Sequence, residues 1–183
     1  GSIKGIHVYS GSGISGINIT GNIIRHIHVS SNVNYRGTYG IMVQEDVDSI
    51  TVSDNTIGQI TSSGDTTWSV GLEVTPDVGG IAPTNIVVTG NTFQNIDGGF
   101  YGDVAFQVSE SGGTSADASE ITLENNNFLA DMGVISRDTV NTLNASQNYW
   151  NDLNGPSIDG PGSGAGVRDG SDHLGTPTGH VDY

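Results

Sequence analysis

The stretch INITGNIIRHI (residues 17–27) recurs along the chain as ITVSDNTIGQI (50–60), IVVTGNTFQNI (86–96), ITLENNNFLADM (121–132) and LNASQNYW (143–150). Each version carries an Asn at the same place, and these are Asn22, Asn55, Asn91, Asn126 and Asn148. The Asn residues are 33, 36, 35 and 22 positions apart, in or near the range in which internal repeats indicate a solenoid. Each version also alternates apolar and polar residues on both sides of a polar corner, as short strands do. We therefore expect one turn of a parallel β-solenoid per repeat.

The repeated Asn residues are predicted to be structural. Identical Asn side chains stacked at the strand spacing of ~4.8 Å can hydrogen-bond along the stack and to the backbone of the turn. Asn also tolerates the left-handed backbone conformation that such a corner requires. The five Asn residues should therefore form an interior ladder.

A second strand recurs in register with the first, as GIHV (5–8), GIMV (40–43) and GLEV (71–74), with degenerate copies at 104–108 and 133–135. Alternation points the aliphatic residues inward and His7, Met42 and Glu73 outward. Each Gly is interpreted as a tight corner before its strand. The outward column has no chemical consistency, which argues against a catalytic row there.

Length and composition indicate one domain. The chain has 183 residues, of which 34% are hydrophobic and 28 are Gly, as expected for a chain that turns every few residues. It has no Cys, so disulfides do not stabilise it. The longest apolar runs are three or four residues, which predicts no membrane insertion. Because the first repeat begins almost at residue 1, we expect a fragment of a longer secreted or cell-surface protein whose signal and anchor lie outside it.

The formal net charge is −15 at pH 7. This charge argues against nucleic acid or an anionic membrane as a partner, since both need a basic surface. Three interpretations stay open. The acids suit a hydrated surface in a saline or extracellular setting, they cluster with Asn to hold Ca²⁺, or they merely populate turns.

Loops are expected between the Asn-bearing strand and the Gly-led strand, at 28–39, 61–70, 97–103 and 129–133. Insertions at one point of a solenoid repeat project from one face. The candidate carbohydrate-binding residues in these loops are Tyr35, Tyr39, Asp65, Trp68, Tyr101 and Asp103. A sugar ring stacks on an aromatic face while carboxylates accept its hydroxyl protons. The alternative is that the aromatics fold back and cover the core beneath their own loops.

A second loop set is expected at 44–49, 75–85 and 109–120. The candidate catalytic residues are three acids of these loops, Asp46, Asp48 and Asp77, and one acid of the strand before the second loop, Glu73. Carboxylates on adjacent turns lie roughly 5–10 Å apart, the range that glycosidases use. Ordinary solvated turn acids are the alternative. The candidate metal ligands, with Ca²⁺ as the cofactor they would suit, are Asp46, Asp48, Asp152 and Asp159.

From Asn148 the composition shifts to NYWNDLNGPS (148–157) and DGPGSG (159–164), and the chain ends in GHVDY (179–183). This segment resembles the closing segment of right-handed parallel β-helix repeat proteins of the pectate-lyase-like superfamily. The Asn repeats extend the resemblance over residues 3–150. The resemblance implies an all-β, right-handed parallel β-helix of about five coils over residues 1–150, followed by a C-terminal cap at 151–183.

Trp150 is predicted to plug the apolar end of the last coil, which would otherwise invite edge-to-edge aggregation. Gly155 and Pro156 would then turn the chain across that end. A sugar-stacking role for Trp150 is the alternative.

The resemblance is specific for fold rather than for function. Its members include pectate and other polysaccharide lyases, polygalacturonase-type hydrolases, sugar epimerases, phage tailspikes and non-enzymatic adhesins. Pectate-lyase-like catalysis implies an acidic Ca²⁺ cluster with a Lys or Arg base on the neighbouring coil, but the basic residues here match no family motif, and the polygalacturonase motifs do not occur.

Two functional hypotheses follow. The first is a non-catalytic, adhesin-like surface module that binds a polysaccharide or cell-surface glycan. The second is a polysaccharide lyase or glycoside hydrolase. Two carboxylates, or a carboxylate and an arginine, converging in a groove beside Trp68 would favour the enzyme.

Overall fold

The chain is an all-β parallel solenoid of about 4 turns, as the repeats predict. The computed structural model describes residues 2–30, 36–64, 67–98, 103–158, 162–168 and 181–183. Three sheets form three faces, which we call A, B and C, and the chain visits them in that order in each turn.

Face A contains β1 (Ile3–Tyr9), β6 (Arg36–Gln44), β9 (Thr67–Thr75), β12 (Asp103–Val108), β17 (Met132–Ser136), β20 (Gly166–Arg168) and β19 (Ser157–Ile158). Face B contains β2 (Ile14–Ser15), β3 (Asn18–Thr20), β7 (Val47–Ser53), β10 (Thr84–Thr89), β15 (Ile121–Glu124), β18 (Leu143–Asn144) and β21 (Val181–Asp182). Face C contains β4 (Ile23–Ile24), β5 (Ile27–Ser30), β8 (Thr56–Ser63), β11 (Thr92–Asp97) and β16 (Asn127–Leu129). Outside the faces lie a hairpin, β13 (Glu110–Ser111) with β14 (Thr114–Ser115), and a 3₁₀ turn, η1 (Ala118–Glu120).

Strands of successive turns pair in parallel and in register, so like residues stack. On face A the inward column runs Ile6, Ile41, Leu72, Phe106 and Val134. Four of the five side chains are fully buried, and Ile6 of the first turn is half-buried. The inward alternation of the second strand is therefore confirmed, and one continuous apolar column fills the solenoid.

The fifth turn is incomplete, which is why the count is about four rather than five. Its face-A and face-B strands, β17 and β18, pair with the turn before. On face C, in the described part of the chain, the turn contributes only a bridge from Tyr149 to Asn127. The tail then adds β20 to face A and β21 to face B.

The Asn ladder is confirmed. Asn55 donates through Nδ2 to Oδ1 of Asn91 at 2.9 Å, and Asn91 does the same to Asn126 at 3.0 Å. The backbone N–H of each donor residue reaches the same oxygen. Equivalent bonds link Asn22 to Asn55 and Asn126 to Asn148. The three central Asn side chains are buried, whereas Asn22 at the first turn is exposed.

The ladder Asn residues are not themselves in the left-handed conformation, contrary to the expectation from the sequence. The residue before each one is, and the φ values are 66° for Gly21, 56° for Asp54, 67° for Gly90, 57° for Asn125 and 62° for Gln147. That residue forms the corner between face B and face C, and in the three central turns the amide of the Asn after it lies in the interior.

The recurring Gly residues are not corners either, since Gly40 and Gly71 lie within β6 and β9. A Cβ at Gly40 would stand 2.5 Å from the carbonyl oxygen of Gly71 and 2.6 Å from Cγ2 of Ile57. Gly is required there because two turns and the core approach too closely for a side chain.

Most of the expected first loop set is strand. β5 and β6 cover much of 28–39, and β8 and β9 cover much of 61–70. Tyr39 and Trp68 are therefore strand residues of face A. They occupy outward positions on the sheet, where aromatic and polar side chains are found. From the sequence, these side chains were predicted to belong to loops.

Aromatic rings stack at the last turn. Phe93 stacks on Phe128 with ring centroids 5.4 Å apart, and Phe128 stacks on Trp150 at 4.9 Å. Trp150 belongs to the main core and is 4% exposed. The tail residues Ala165, Val167 and Val181 belong to the same core cluster, so the ring and the tail together lie at this end of the apolar column. Within the described ranges, no helix has the length and apolar character needed to span a membrane.

Candidate functional site

A groove of about 850 Å³ runs across the outer surface of face A. Its floor contains a second apolar cluster, separate from the core, with Tyr39, Met42, Val70 and Val104 buried. Trp68, Met132 and Ile135 pack against this cluster and are half-buried. The lining residues come from β6 to β20, so four strand spacings give a length of roughly 19 Å along the solenoid axis.

Register explains why the groove forms here. Met42, Glu73, Gln107, Ile135 and Arg168 pair successively across face A and point outward. All five line the groove. From the sequence alone, the inconsistent residue types at the start of this column argue against a catalytic row. The column is instead mixed because each turn contributes a different group to one surface.

Trp68 lies over the preceding turn at the position of Gly37, its partner in the sheet. A Cβ on Gly37 would collide with Nε1 of Trp68 and stand 2.6 Å from Oη of Tyr39. The absent side chain lets the indole lie against β6, where Nε1 donates a hydrogen bond of 2.7 Å to Tyr39 Oη. This contact fixes the indole at the groove wall.

Glu73 is the buried carboxyl of the groove, with 6% of its surface exposed. The hydroxyls of Ser109 and Tyr39 lie beside its carboxyl and act on its pKa. Nε2 of Gln107 donates in turn to Oγ of Ser109, at 3.3 Å. A polar chain therefore runs from Trp68 through Tyr39 to Glu73, and from Gln107 through Ser109 to the same carboxyl.

Burial raises the pKa of Glu73 to about 7, against opposing effects of the Ser109 hydrogen bond, the Arg137 and Lys4 charges and the Tyr39 hydroxyl. Burial and the Glu73 charge also raise the pKa of Tyr39, whose hydroxyl is protonated at neutral pH. Oε2 of Glu73 is buried and has no hydrogen-bond partner, and Nε of Arg137 is in the same condition. Two buried polar atoms of groove residues therefore lack hydrogen-bond partners.

The other charges lie at the margins of the groove. Asp103 and Asp131 line the groove where β12 and β17 begin, and Arg137 and Arg168 line it where β17 and β20 end. Burial and repulsion by Asp131 raise the pKa of Asp103. Glu110 of the hairpin is exposed at another part of the lining.

Three of the six candidate carbohydrate-binding residues are brought together, since Tyr39, Trp68 and Asp103 all line the groove. Tyr35, Asp65 and Tyr101 lie outside the described residues.

The four candidate catalytic acids are spread over different surroundings. Glu73 lies in the groove, whereas Asp46 is in the turn between β6 and β7 and Asp77 accepts a bond from the N–H of Val78. Asp48 is on face B and accepts from Thr84, Asn85 and Ser49. These bonds lower the pKa of Asp48, which makes it a structural acceptor between turns.

Of the candidate metal ligands, Asp46 and Asp48 have the positions just given, outside the groove. Asp152 accepts from the N–H of Asn154 and from Oγ of Ser163. Asp159 lies outside the described residues. In the portion of the chain that the structure describes, no group of three or more His, Asp or Glu side chains is arranged to hold a metal ion.

Five groove residues were not predicted from the sequence, namely Met42, Gln107, Ile135, Arg137 and Arg168. The available signal was strand register. Once GIMV and GLEV are aligned with the degenerate copies at 104–108 and 133–135, the residues between the inward positions form one outward column. Arg137 follows directly after that column.

Comparisons of the chain with protein-family models, with curated proteins and with solved structures found no match.

Proposed function

We propose that the groove on face A binds a carbohydrate chain, and that the solenoid is a non-catalytic, adhesin-like module of a secreted or cell-surface protein. The observation that carries the proposal is the half-buried indole of Trp68, held by Tyr39 beside the polar chain that ends at Glu73. An aromatic surface next to hydrogen-bonding groups is the combination that sugars need. Membership of the pectate-lyase-like superfamily is part of the same proposal, and the Asn repeats and the closing segment support it.

The dimensions of the groove favour a chain over a single sugar. Its floor repeats at the strand spacing of ~4.8 Å, which is close to the length of one sugar ring. An oligosaccharide lying along the solenoid axis would pass from Glu73 across Gln107 and Ile135 to Arg168, with Trp68 beside Glu73 on the same strand.

Catalysis is a second candidate, because Glu73 and Arg137 share the groove with Trp68. A carboxyl with a pKa of about 7 suits a general acid or base. The other acids suit it less. Ser69 pairs with Asp103 and lies four residues before Glu73, so the Cα atoms of Asp103 and Glu73 are roughly 14 Å apart. The two carboxyls of an inverting hydrolase are about 6.5–9.5 Å apart, so Asp103 and Glu73 would come within that range only if both side chains extended toward each other. Glu73 and Arg137 share the groove, but Oε2 of the one and Nε of the other have no hydrogen-bond partner, so the two groups do not converge as an acid–base pair would. Binding is therefore the function that we place first.

The test is a glycan array followed by calorimetry with the positive glycans. Trp68→Ala should weaken binding by at least tenfold, while Trp68→Phe keeps a ring and should retain part of the affinity. Tyr149→Ala is the matched control, since this aromatic is 42% exposed and does not line the groove. Undiminished binding by a folded Trp68→Ala protein would refute the groove as the site. Release of reducing sugars or unsaturated products, abolished by Glu73→Gln, would establish the catalytic candidate instead.

A further inference from the structure

Within this proposed carbohydrate-binding function, the unpartnered atoms of the groove specify the chemistry of the sugar. Oε2 of Glu73 is an acceptor without a donor, on a side chain that is 6% exposed. Nε of Arg137 is a donor without an acceptor. Buried polar atoms without partners are uncommon in folded proteins and are destabilising. Both residues line the groove, so a ligand that reaches the two atoms through a small shift of these side chains, and supplies both partners, would remove that penalty.

We infer that the groove selects an uncharged sugar unit that donates a hydrogen bond to Oε2 of Glu73 and accepts one from Nε of Arg137. This inference rests on the carbohydrate-binding function proposed above. The acetamido group of an N-acetylhexosamine supplies such a donor and acceptor through its N–H and C=O. Two neighbouring hydroxyls of a neutral hexose supply the same pair.

Charge favours an uncharged sugar over a uronate. Among the groove-lining residues four are acidic and two are basic, and these are Glu73, Asp103, Glu110, Asp131, Arg137 and Arg168. The whole chain carries −15, so a polyanionic glycan would approach against repulsion.

The pH dependence of binding distinguishes the two kinds of ligand by its sign. The charged and titratable groups that act on Glu73 are Lys4 of β1, Tyr39 of β6 and Arg137 after β17. A ligand that donates to the carboxyl binds its ionised form better, because a charged acceptor makes the stronger bond. Its affinity should therefore rise between pH 6 and pH 8, as Glu73 ionises with its pKa of about 7. A uronate would bind more weakly over the same interval.

The experiment is calorimetry at pH 6 and pH 8 with three sets of tetrasaccharides, composed of N-acetylhexosamine, neutral hexose and hexuronate. We expect one of the two neutral sets to bind, with an affinity roughly tenfold higher at pH 8 than at pH 6. Binding of the N-acetylhexosamine set would identify the acetamido group as the source of the donor and acceptor. Binding of the hexose set would identify two neighbouring hydroxyls instead. Glu73→Gln should make the affinity independent of pH. Arg137→Lys, which keeps the positive charge but has no Nε–H, should weaken binding roughly tenfold. Circular dichroism establishes that each variant is folded.

Preferential binding of hexuronates, or affinity that falls from pH 6 to pH 8, would overturn the inference and leave the carbohydrate-binding function standing. A pH dependence that persists in Glu73→Gln would also overturn it, since another group such as His7 would then be responsible. If none of the three sets binds and the glycan array is also negative, the proposed function fails with it.

Discussion

Glu73 makes the stability of the fold depend on pH. Its pKa is raised from the ordinary value of 4.5 to about 7 in the folded chain, chiefly by burial. The folded state therefore binds the proton more tightly than the unfolded state. For a carboxyl shifted in this direction, stability falls as the pH rises from about 4.5 to about 7, and the whole penalty is present above pH 7.

Glu73→Gln should remove that penalty. We expect the variant to be more stable than the parent at pH 8 by up to about 3 kcal/mol, and the difference to vanish near pH 4.5. Urea denaturation at both pH values measures it. The exposed Glu110→Gln change is the control and should alter stability little at either pH. An equal difference at both pH values would mean that packing, not ionisation, governs this position.

Asn91 is the residue on which the middle of the ladder depends. Its Nδ2 donates to the carbonyls of Val52 and Thr89 and to Asn126, while its Oδ1 accepts from the backbone and side chain of Asn55. Asn91→Ala leaves several buried groups unpaired at about 1–3 kcal/mol each. We predict a loss of at least about 3 kcal/mol in the free energy of unfolding, from denaturant melts.

The matched control for the ladder is Asn22→Ala. Asn22 makes the same kind of bond to Asn55, but its side chain is exposed, so water replaces the lost partners. The cost should be well below that of Asn91→Ala. Similar losses in the free energy of unfolding at the two positions would show that burial does not determine how much the ladder bonds stabilise the fold.

At the scale of strands, the sequence predicts the residues that recur in every turn and does not predict the roles of the residues that differ between turns. The Asn corner and the inward aliphatic positions recur in each turn, so one strand predicts the next. The outward residues of face A differ from turn to turn. Each outward side chain faces the common groove, so it does not have to match the outward side chain of the next turn. Glu73 and Arg137 come together only when register is known, since 64 residues separate them in the sequence.

The boundaries between faces C and A were mispredicted for a related physical reason. Trp68 and Tyr39 were assigned to loops because aromatic and polar residues interrupt the aliphatic alternation there. A strand whose outer surface carries its own apolar cluster has no simple alternation, since both of its sides are partly buried.

The stacked rings of Phe93, Phe128 and Trp150 join three successive turns at face C and the closing end. Trp150→Ala should leave a cavity that costs about 3–5 kcal/mol and should open the end of the apolar column. We expect a lower melting temperature and aggregation by light scattering. Tyr149→Ala, at a neighbouring exposed position, is the control. Native stability and solubility in the Trp150→Ala protein would refute its role in closing the column.

In the described part of the chain, the strands of each turn pair with those of the neighbouring turns, which makes the solenoid a quasi-one-dimensional stack. Its two ends differ. In the first turn, Ile3, Ile14 and Ile23 are 43%, 42% and 70% exposed. At the other end, the tail strands β20 and β21 pair with β17 and β18, and Trp150 is buried.

This asymmetry predicts a gradient of local stability along the solenoid axis. Native-state hydrogen exchange should be fastest in β1 to β5, whose strands pair on one side only in the described chain, and slowest in β8 to β11, which have a neighbour on both sides. The amides of β15 and β16 should be better protected than those of β3 and β4, although all four strands flank ladder corners, because aromatic stacking and the tail support the later turn. Mass spectrometry of peptides from each turn gives the comparison, and the unfolding free energy from urea melts gives the upper limit. Equal protection in all turns would mean that the solenoid opens as one cooperative unit, and faster exchange in β15 and β16 than in β3 and β4 would show that the tail does not stabilise the closing end.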